Sequence, residues 1–279
     1  MKTRVITGAV AGALLIGALV LSAHVPVVLN IVFALIAAVA AYEAAGAAGV
    51  RHARAVTAAS ILFAAYLPFA PMLSGCKFPV TNSVLFAYIF FLFAHQLFHH
   101  RDIAMPELMV TAFVTVFSAA ALTSLVHIRD MGGHTHGIFL LVLALVSAWS
   151  ADSGAYFAGV LFGKHKLCPE ISPKKTVEGF VGGIVGCVII LEAVTLVYAK
   201  CIAPQTVVSY GAVALLAALA SVISVVGDLS FSLLKRHYGI KDYGNIMPGH
   251  GGVLDRFDSV IFVAPFFALL MQYFPIIGA

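Results

Sequence analysis

Residues 137–160 read GIFLLVLALVSAWSADSGAYFAGV, a membrane-length run with a single charged side chain, Asp152. A bilayer's hydrocarbon core is about 30 Å thick, so a helix needs roughly 20 mainly apolar residues to cross it. Comparable runs recur along the chain, near 5–22, 26–46, 55–73, 82–98, 106–127, 178–199, 207–231 and 254–275. Composition agrees: 62% of residues are hydrophobic and 10% charged, with a mean hydropathy of +1.04. Soluble domains carry about 25% charged residues, and the ten-residue alternating segments of a membrane β-barrel are absent. The expected fold is all-α, a polytopic transmembrane helical bundle of about nine spans with polar loops on one face. No linker suggests a separable domain. Residues 1–135 read as N-terminal spans and 136–279 as a C-terminal region carrying the chemistry, within one integral membrane unit. Lys2, Arg4 and the apolar run ending at Leu21-Ser22-Ala23 imitate a signal peptide, but the run is long for one, so it is read as an uncleaved first span.

Basic residues set the expected orientation. With a cytoplasmic N-terminus, the inner side carries Lys2, Arg4, Arg51, Arg54, Arg101, Lys164, Lys166, Lys174, Lys175, Lys235, Arg236, Lys241 and Arg256. The outer side carries only Lys77, Arg129 and Lys200, and the C-terminus falls outside. The net charge of +4 follows from this asymmetry. It suits an anionic membrane surface or substrate and is no signal for nucleic acid.

Charge is costly beside lipid, so a dense cluster of it marks a functional site. Asp228, Lys235, Arg236, Lys241, Asp242, Asp255, Arg256 and Asp258 crowd into one short stretch of a chain with only 16 basic and 12 acidic residues. Ser224, Asp228, Ser232 and Lys235 are spaced four, four and three apart, one stripe of a helix. The loop Gly244-Asn245-Ile246-Met247-Pro248-Gly249-His250-Gly251-Gly252 then leads into the last span. Its glycines would let backbone N–H groups approach an oxyanion, and Asp255 and Asp258 share a helical face just beyond. Upstream, Asp152 lies toward the cytoplasmic end of the sixth span. Ser172-Pro173-Lys174-Lys175 reads as the capped first turn of a helix, with Ser172 as N-cap, and thus as a phosphate site. Cations call for phosphate. Aspartates beside phosphate repel it unless a metal ion intervenes, and magnesium is held by one or two carboxylates plus substrate phosphates. The cluster therefore reads as metal-dependent phosphate chemistry at the inner membrane face; spacing alone leaves nucleotidyl transfer and hydrolysis both open.

Ser232, Lys235, Arg236, Gly239, Lys241, Asp242, Gly244, Pro248, Gly249, His250, Gly251, Gly252, Asp255, Arg256, Asp258 and Ser259 together resemble the signature of the CDP-diacylglycerol synthases, or phosphatidate cytidylyltransferases. The resemblance extends to Asp152-Ser-Gly-Ala-Tyr and Ser172-Pro-Lys-Lys-Thr and covers about the C-terminal half. Val160 departs where many members have a basic residue, and Val177 where many have Trp. The resemblance implies transfer of CMP from CTP to phosphatidic acid, giving CDP-diacylglycerol and pyrophosphate for phospholipid biosynthesis in a bacterial cytoplasmic (inner) membrane. It also implies magnesium, with room for a second cation such as potassium. On this reading Asp228, Asp255, Asp258 and Asp152 are metal ligands. Lys235, Arg236, Lys241 and Arg256 hold the triphosphate or pyrophosphate, and His250 positions phosphate or protonates the leaving group. Ser172, Lys174 and Lys175 grip phosphate, while Ser232, Gly251 and Gly252 contact substrate.

Other features read as structural. His95 and His99 sit at a membrane edge and the His134-x-His136 pair in a predicted outer loop, away from the acidic cluster. Glu43 and Glu192 are expected to be hydrogen-bonded structural carboxylates. The small residues around Gly182, Gly183 and Gly186 suit close helix packing and could equally line a homodimer seam. Cys76 and Cys201 fall in predicted outer loops without a disulfide motif. A transporter would place its acids mid-span in two related halves; here they gather at one face and no halves repeat.

Overall fold

The computed structural model describes residues 2–73, 80–249 and 251–278, and side chains throughout these except at 2–5 and 134. Nine α-helices lie among the described residues: α1 (Lys2–Ser22), α2 (Val27–Ala47), α3 (Arg54–Tyr66), α4 (Val80–Phe98), α5 (Met105–Met131), α6 (Gly133–Phe162), α7 (Val177–Val197), α8 (Tyr210–His237) and α9 (Leu254–Tyr273). They fall on the nine expected segments. Seven helical segments are long and apolar enough to cross a bilayer, α2 through α8 with their short extensions. The described apolar part of α1, Ile6–Ser22, is shorter, and α9 opens with Asp255, Arg256 and Asp258. The chain is an integral membrane protein.

By internal contacts it divides into two compact units, Met1–His127 with His237–Phe257, and Ile128–Arg236 with Asp258–Ala279. In the first, α2 ends where Gly49 adopts φ 72°, a left-handed stop that suits glycine. α3 continues into a 3-10 turn, Leu67–Leu73, that contains Pro71. A 3-10 pattern would pair the Pro68 carbonyl with the N–H of residue 71, which proline lacks. The buried Asn30 Nδ2 of α2 donates to that carbonyl instead, at 2.7 Å. Where α3 meets α4, Phe63 stacks on Tyr88, whose hydroxyl pairs with Ser60 Oγ at 2.8 Å.

In the second unit, α6 and α7 form a glycine seam. A Cβ on Gly154 would come within 3.1 Å of the Gly182 carbonyl oxygen, and one on Gly163 within 2.8 Å of Thr176 Cγ2. Small residues let the two backbones touch, as the sequence suggested. α8 approaches α9 through Gly227, where a Cβ would lie 2.9 Å from the carbonyl oxygen of Asp258. The Gly227 contact seats α8 against the turn of α9 that carries Asp258.

The segment before α7 departs from expectation. Ser172 is no N-cap and Pro173 opens no helix. Ser172–Thr176 is a strand, β2, paired antiparallel with β1 (Lys166–Cys168). The reason is local: a residue before proline is pushed to extended backbone, and a two-stranded ribbon has edges where proline's missing N–H does no harm. The cap is Thr176, extended at φ −126° and ψ 156°, whose hydroxyl accepts from Gly179 N. Glu178 in the first turn of α7 accepts from the backbone N–H groups of Lys164 and His165 and pairs with His165 Nδ1 at 2.6 Å, tying the ribbon to the helix.

Candidate active site

In the second unit, three helices each contribute one carboxylate to a single neighbourhood. Asp152 of α6 accepts from Ser224 Oγ of α8 at 3.2 Å and from Ser259 Oγ of α9 at 2.8 Å. Asp228 of α8 pairs through Oδ2 with Lys175 Nζ of β2 at 2.5 Å, and its Oδ1 accepts from Ser232 Oγ at 3.3 Å. Asp258 of α9 is buried, accepts from the N–H of Ser259 at 2.8 Å, and lies within electrostatic reach of Asp228, Asp152 and Lys235. On the expected α8 stripe, Ser224 donates to Asp152 and Ser232 to Asp228, so the stripe faces the cluster of carboxylates. The ribbon delivers Lys175 to it, while Lys174 on the same strand is exposed and Ser172 half-buried. Arg236 is exposed at the end of α8.

In the first unit the glycine loop is built differently. Asp255 Oδ2 accepts from the N–H groups of Tyr243, at 2.8 Å, and Gly252, at 2.9 Å. Glu43 of α2, fully buried, accepts from Val253 N at 2.9 Å through one oxygen and Leu254 N at 2.8 Å through the other. A Cβ on Gly244 or Gly252 would fall on the Glu43 carboxylate, and one on Gly251, at φ 85°, would lie 2.9 Å from Asp255 Oδ2. Met247 N donates to the Gly251 carbonyl at 3.1 Å, closing the loop. Lys241, Asp242 and Arg256 are exposed around it. His250 lies outside the described residues, as does Cys76.

The loop's N–H groups at 243, 252, 253 and 254 are therefore held by protein carboxylates, where the sequence suggested an open cradle for phosphate. Asp255 and Asp258, a helical turn apart, engage different partners. Glu43 was legible only as a structural carboxylate. Its burial and its link to the loop have no local signal, because the two segments are some 210 residues apart.

Among the described residues no three His, Cys, Asp or Glu side chains form a ready metal cage. Magnesium does not require one: it usually keeps several waters and takes one or two carboxylates plus substrate phosphates. Asp228 and Asp258 fit that demand, being neighbouring carboxylates on adjoining helices with Lys175 against only one of their oxygens. The discounted groups behave structurally. His95 and His99 stack on each other at 4.2 Å, and His136 Nδ1 pairs with the Tyr198 hydroxyl at 2.5 Å. Cys201 is a free, exposed thiol.

A membrane helical bundle carrying a carboxylate–lysine cluster narrows the class, and comparison with known proteins gives the family. The model of the cytidylyltransferase family matches residues 2–274, and the chain belongs to that family. Among curated proteins it is similar to the phosphatidate cytidylyltransferase of Bacillus subtilis (strain 168), 50% identical over 139 residues, covering 50% of this chain and 49% of that one. It is also similar to the enzymes of that name from Staphylococcus saprophyticus, 42% identical over 137 residues (49% and 50%), and Haemophilus influenzae, 43% identical over 139 residues (48% and 46%). The chain spans about half the length of the curated relatives it matches.

Proposed function

We infer that this protein transfers CMP from CTP to phosphatidic acid, forming CDP-diacylglycerol and releasing pyrophosphate. The observation that carries the reading is the meeting of Asp152, Asp228 and Asp258 with Lys175 and Lys235, on a chain whose family is cytidylyltransferase. The relatives named phosphatidate cytidylyltransferase supply the substrate pair.

An oxygen of the lipid phosphate attacks the α-phosphorus of CTP. The bond from that phosphorus to the bridging oxygen of the β-phosphate breaks, and pyrophosphate leaves with the electron pair. A phosphate monoester's second pKa is about 6, so the nucleophile is already largely anionic and needs no side-chain base. Catalysis reduces to positioning and charge neutralisation. Lys175 and Lys235 draw phosphate toward the carboxylates. Arg236, Lys241 and Arg256 neutralise the triphosphate and then the leaving pyrophosphate, with Lys174 and Ser172 on the ribbon beside the lipid headgroup. Magnesium, when held by Asp228 and Asp258 with Asp152 alongside, would screen these carboxylates from the phosphates and stabilise the attacking and leaving oxygens. Asp255, with one oxygen on two N–H groups, is read as shaping the loop. A potassium ion and a homodimer belong to the same reading, as does an orientation with the site and N-terminus on the cytoplasmic side of a bacterial inner membrane.

The test is pyrophosphate release by purified protein in detergent, with CTP, phosphatidic acid and magnesium each omitted in turn, and Asp228→Asn in parallel. Release that needs all three and collapses in the variant supports the transferase. Release without lipid points to a hydrolase instead, and no release from folded protein overturns the reading.

A further inference from the structure

Glu43 sits in an apolar helix at 0% exposure, and a buried ionised carboxylate is tolerated only where hydrogen bonds compensate it. Its compensation is unusual. Both oxygens are met by consecutive backbone N–H groups, Val253 and Leu254, at the start of α9. A helix N-terminus favours an anion because its first N–H groups have no partner within the helix and the helix dipole adds positive potential. Here the anion is supplied by the protein. Arg51, stacked at 4.1 Å on the Tyr42 ring one residue before Glu43, adds a compensating charge. Gly244 and Gly252 are small where the carboxylate enters. Their backbones are not left-handed, so the room for Glu43 is what glycine supplies there.

We propose that Glu43 is a positioning residue for the transfer reaction: a built-in counter-anion at the start of α9 that fixes the loop from 243 to 254, leaving substrate phosphate to side-chain cations such as Lys241 and Arg256. The inference rests on the reaction proposed above. With Asp255 taking the N–H groups of Tyr243 and Gly252, four loop donors are closed to a ligand. Glu43 touches no substrate and acts through where the loop holds its exposed cations.

Glu43→Gln keeps the shape but faces one of the two N–H groups with an NH2. The expected result in the pyrophosphate-release assay is a fall in kcat of about tenfold or more, with KM for CTP moving less than about threefold, as for loss of alignment in the transition state. Glu43→Asp, which keeps the charge, recovers part of the rate. Glu192→Gln, a carboxylate on α7 outside this arrangement, leaves it unchanged. Glu43→Gln within about twofold of the parent kcat overturns the proposal. Should that variant fail to fold, Gly244→Ala decides. The atoms nearest its Cβ all belong to Glu43, so the substitution lowers kcat and Glu43→Asp in the same chain restores part of the loss; strictly multiplicative effects overturn the proposal. Hydrogen exchange at residues 243–254 gives a readout without substrate. Faster exchange there in Glu43→Gln is expected even if the parent transfers no CMP, whereas unchanged exchange overturns the loop-fixing role by itself.

Discussion

The glycine loop and the carboxylate cluster are both acidic, yet they treat their acids in opposite ways. In the loop, Glu43 and Asp255 each accept two backbone N–H bonds and hold main chain in place. In the cluster, Asp152, Asp228 and Asp258 crowd one another, with serine hydroxyls on Asp152 and Asp228 and lysine charges close by. An acid bonded to backbone amides has done its work when the chain folds. Acids held near one another keep a standing demand for positive charge, which a cation arriving with phosphate can meet. Residue type alone does not separate structural from chemical acids in this molecule; two backbone amides on each acid mark the loop, while crowding with other acids and side-chain cations marks the cluster, where Asp258 takes the N–H of the adjoining Ser259.

Four measurements would break or sharpen that contrast. The largest effect is expected from Asp228→Asn and Asp258→Asn made separately. Each should lower the rate of pyrophosphate release about a thousandfold, on the scale of losing a preorganised charge at the reacting centre. Thermal stability in detergent should hold or rise for Asp258→Asn, where a like-charge contact is relieved, and fall for Asp228→Asn, which leaves the buried Lys175 amine without its counter-charge. A variant within tenfold of the parent would dissolve the distinction.

Next, Lys175→Met should cost about ten- to a hundredfold, measured as rate against CTP concentration, because it removes the cation now paired with Asp228. Asp255→Asn should cost about tenfold in kcat and speed exchange at Tyr243 and Gly252, while the magnesium concentration giving half the maximal rate stays put. A large shift in that concentration would make Asp255 a metal ligand and merge the two regions. Smallest, Ser224→Ala and Ser259→Ala each remove one hydrogen bond to Asp152. Each should lower stability by about 1 kcal/mol, read as a small drop in melting temperature, and change the rate less than about threefold.

The spans were legible because lipid imposes one simple rule on every window, and α2 through α8 obey it. α9 was legible for a different reason: its apolar stretch follows the charged signature, although Asp255, Arg256 and Asp258 weaken its claim as a plain span. The α8 stripe was legible from spacing, since Ser224, Asp228 and Ser232 repeat at helical intervals. The ribbon at 166–176 was not. Ser-Pro followed by lysines satisfies a helix-start pattern, and only pairing with Lys166–Cys168, together with the Thr176 cap, decides for strand. The loop's closed N–H groups were hidden too, because an acid inside α2 carries no mark of which distant amides it will meet.

Asn30 and Pro71 carry a consequence of another kind. The proline withholds a donor and the asparagine replaces it from a different helix. Replacing Asn30 alone strands a buried carbonyl, at a cost of roughly 1–3 kcal/mol. Replacing Pro71 alone restores a local N–H and leaves Asn30 a buried polar group with a competitor for its partner. The two residues thus form one unit of stability: the cost of changing both should be less than the sum of the two single costs.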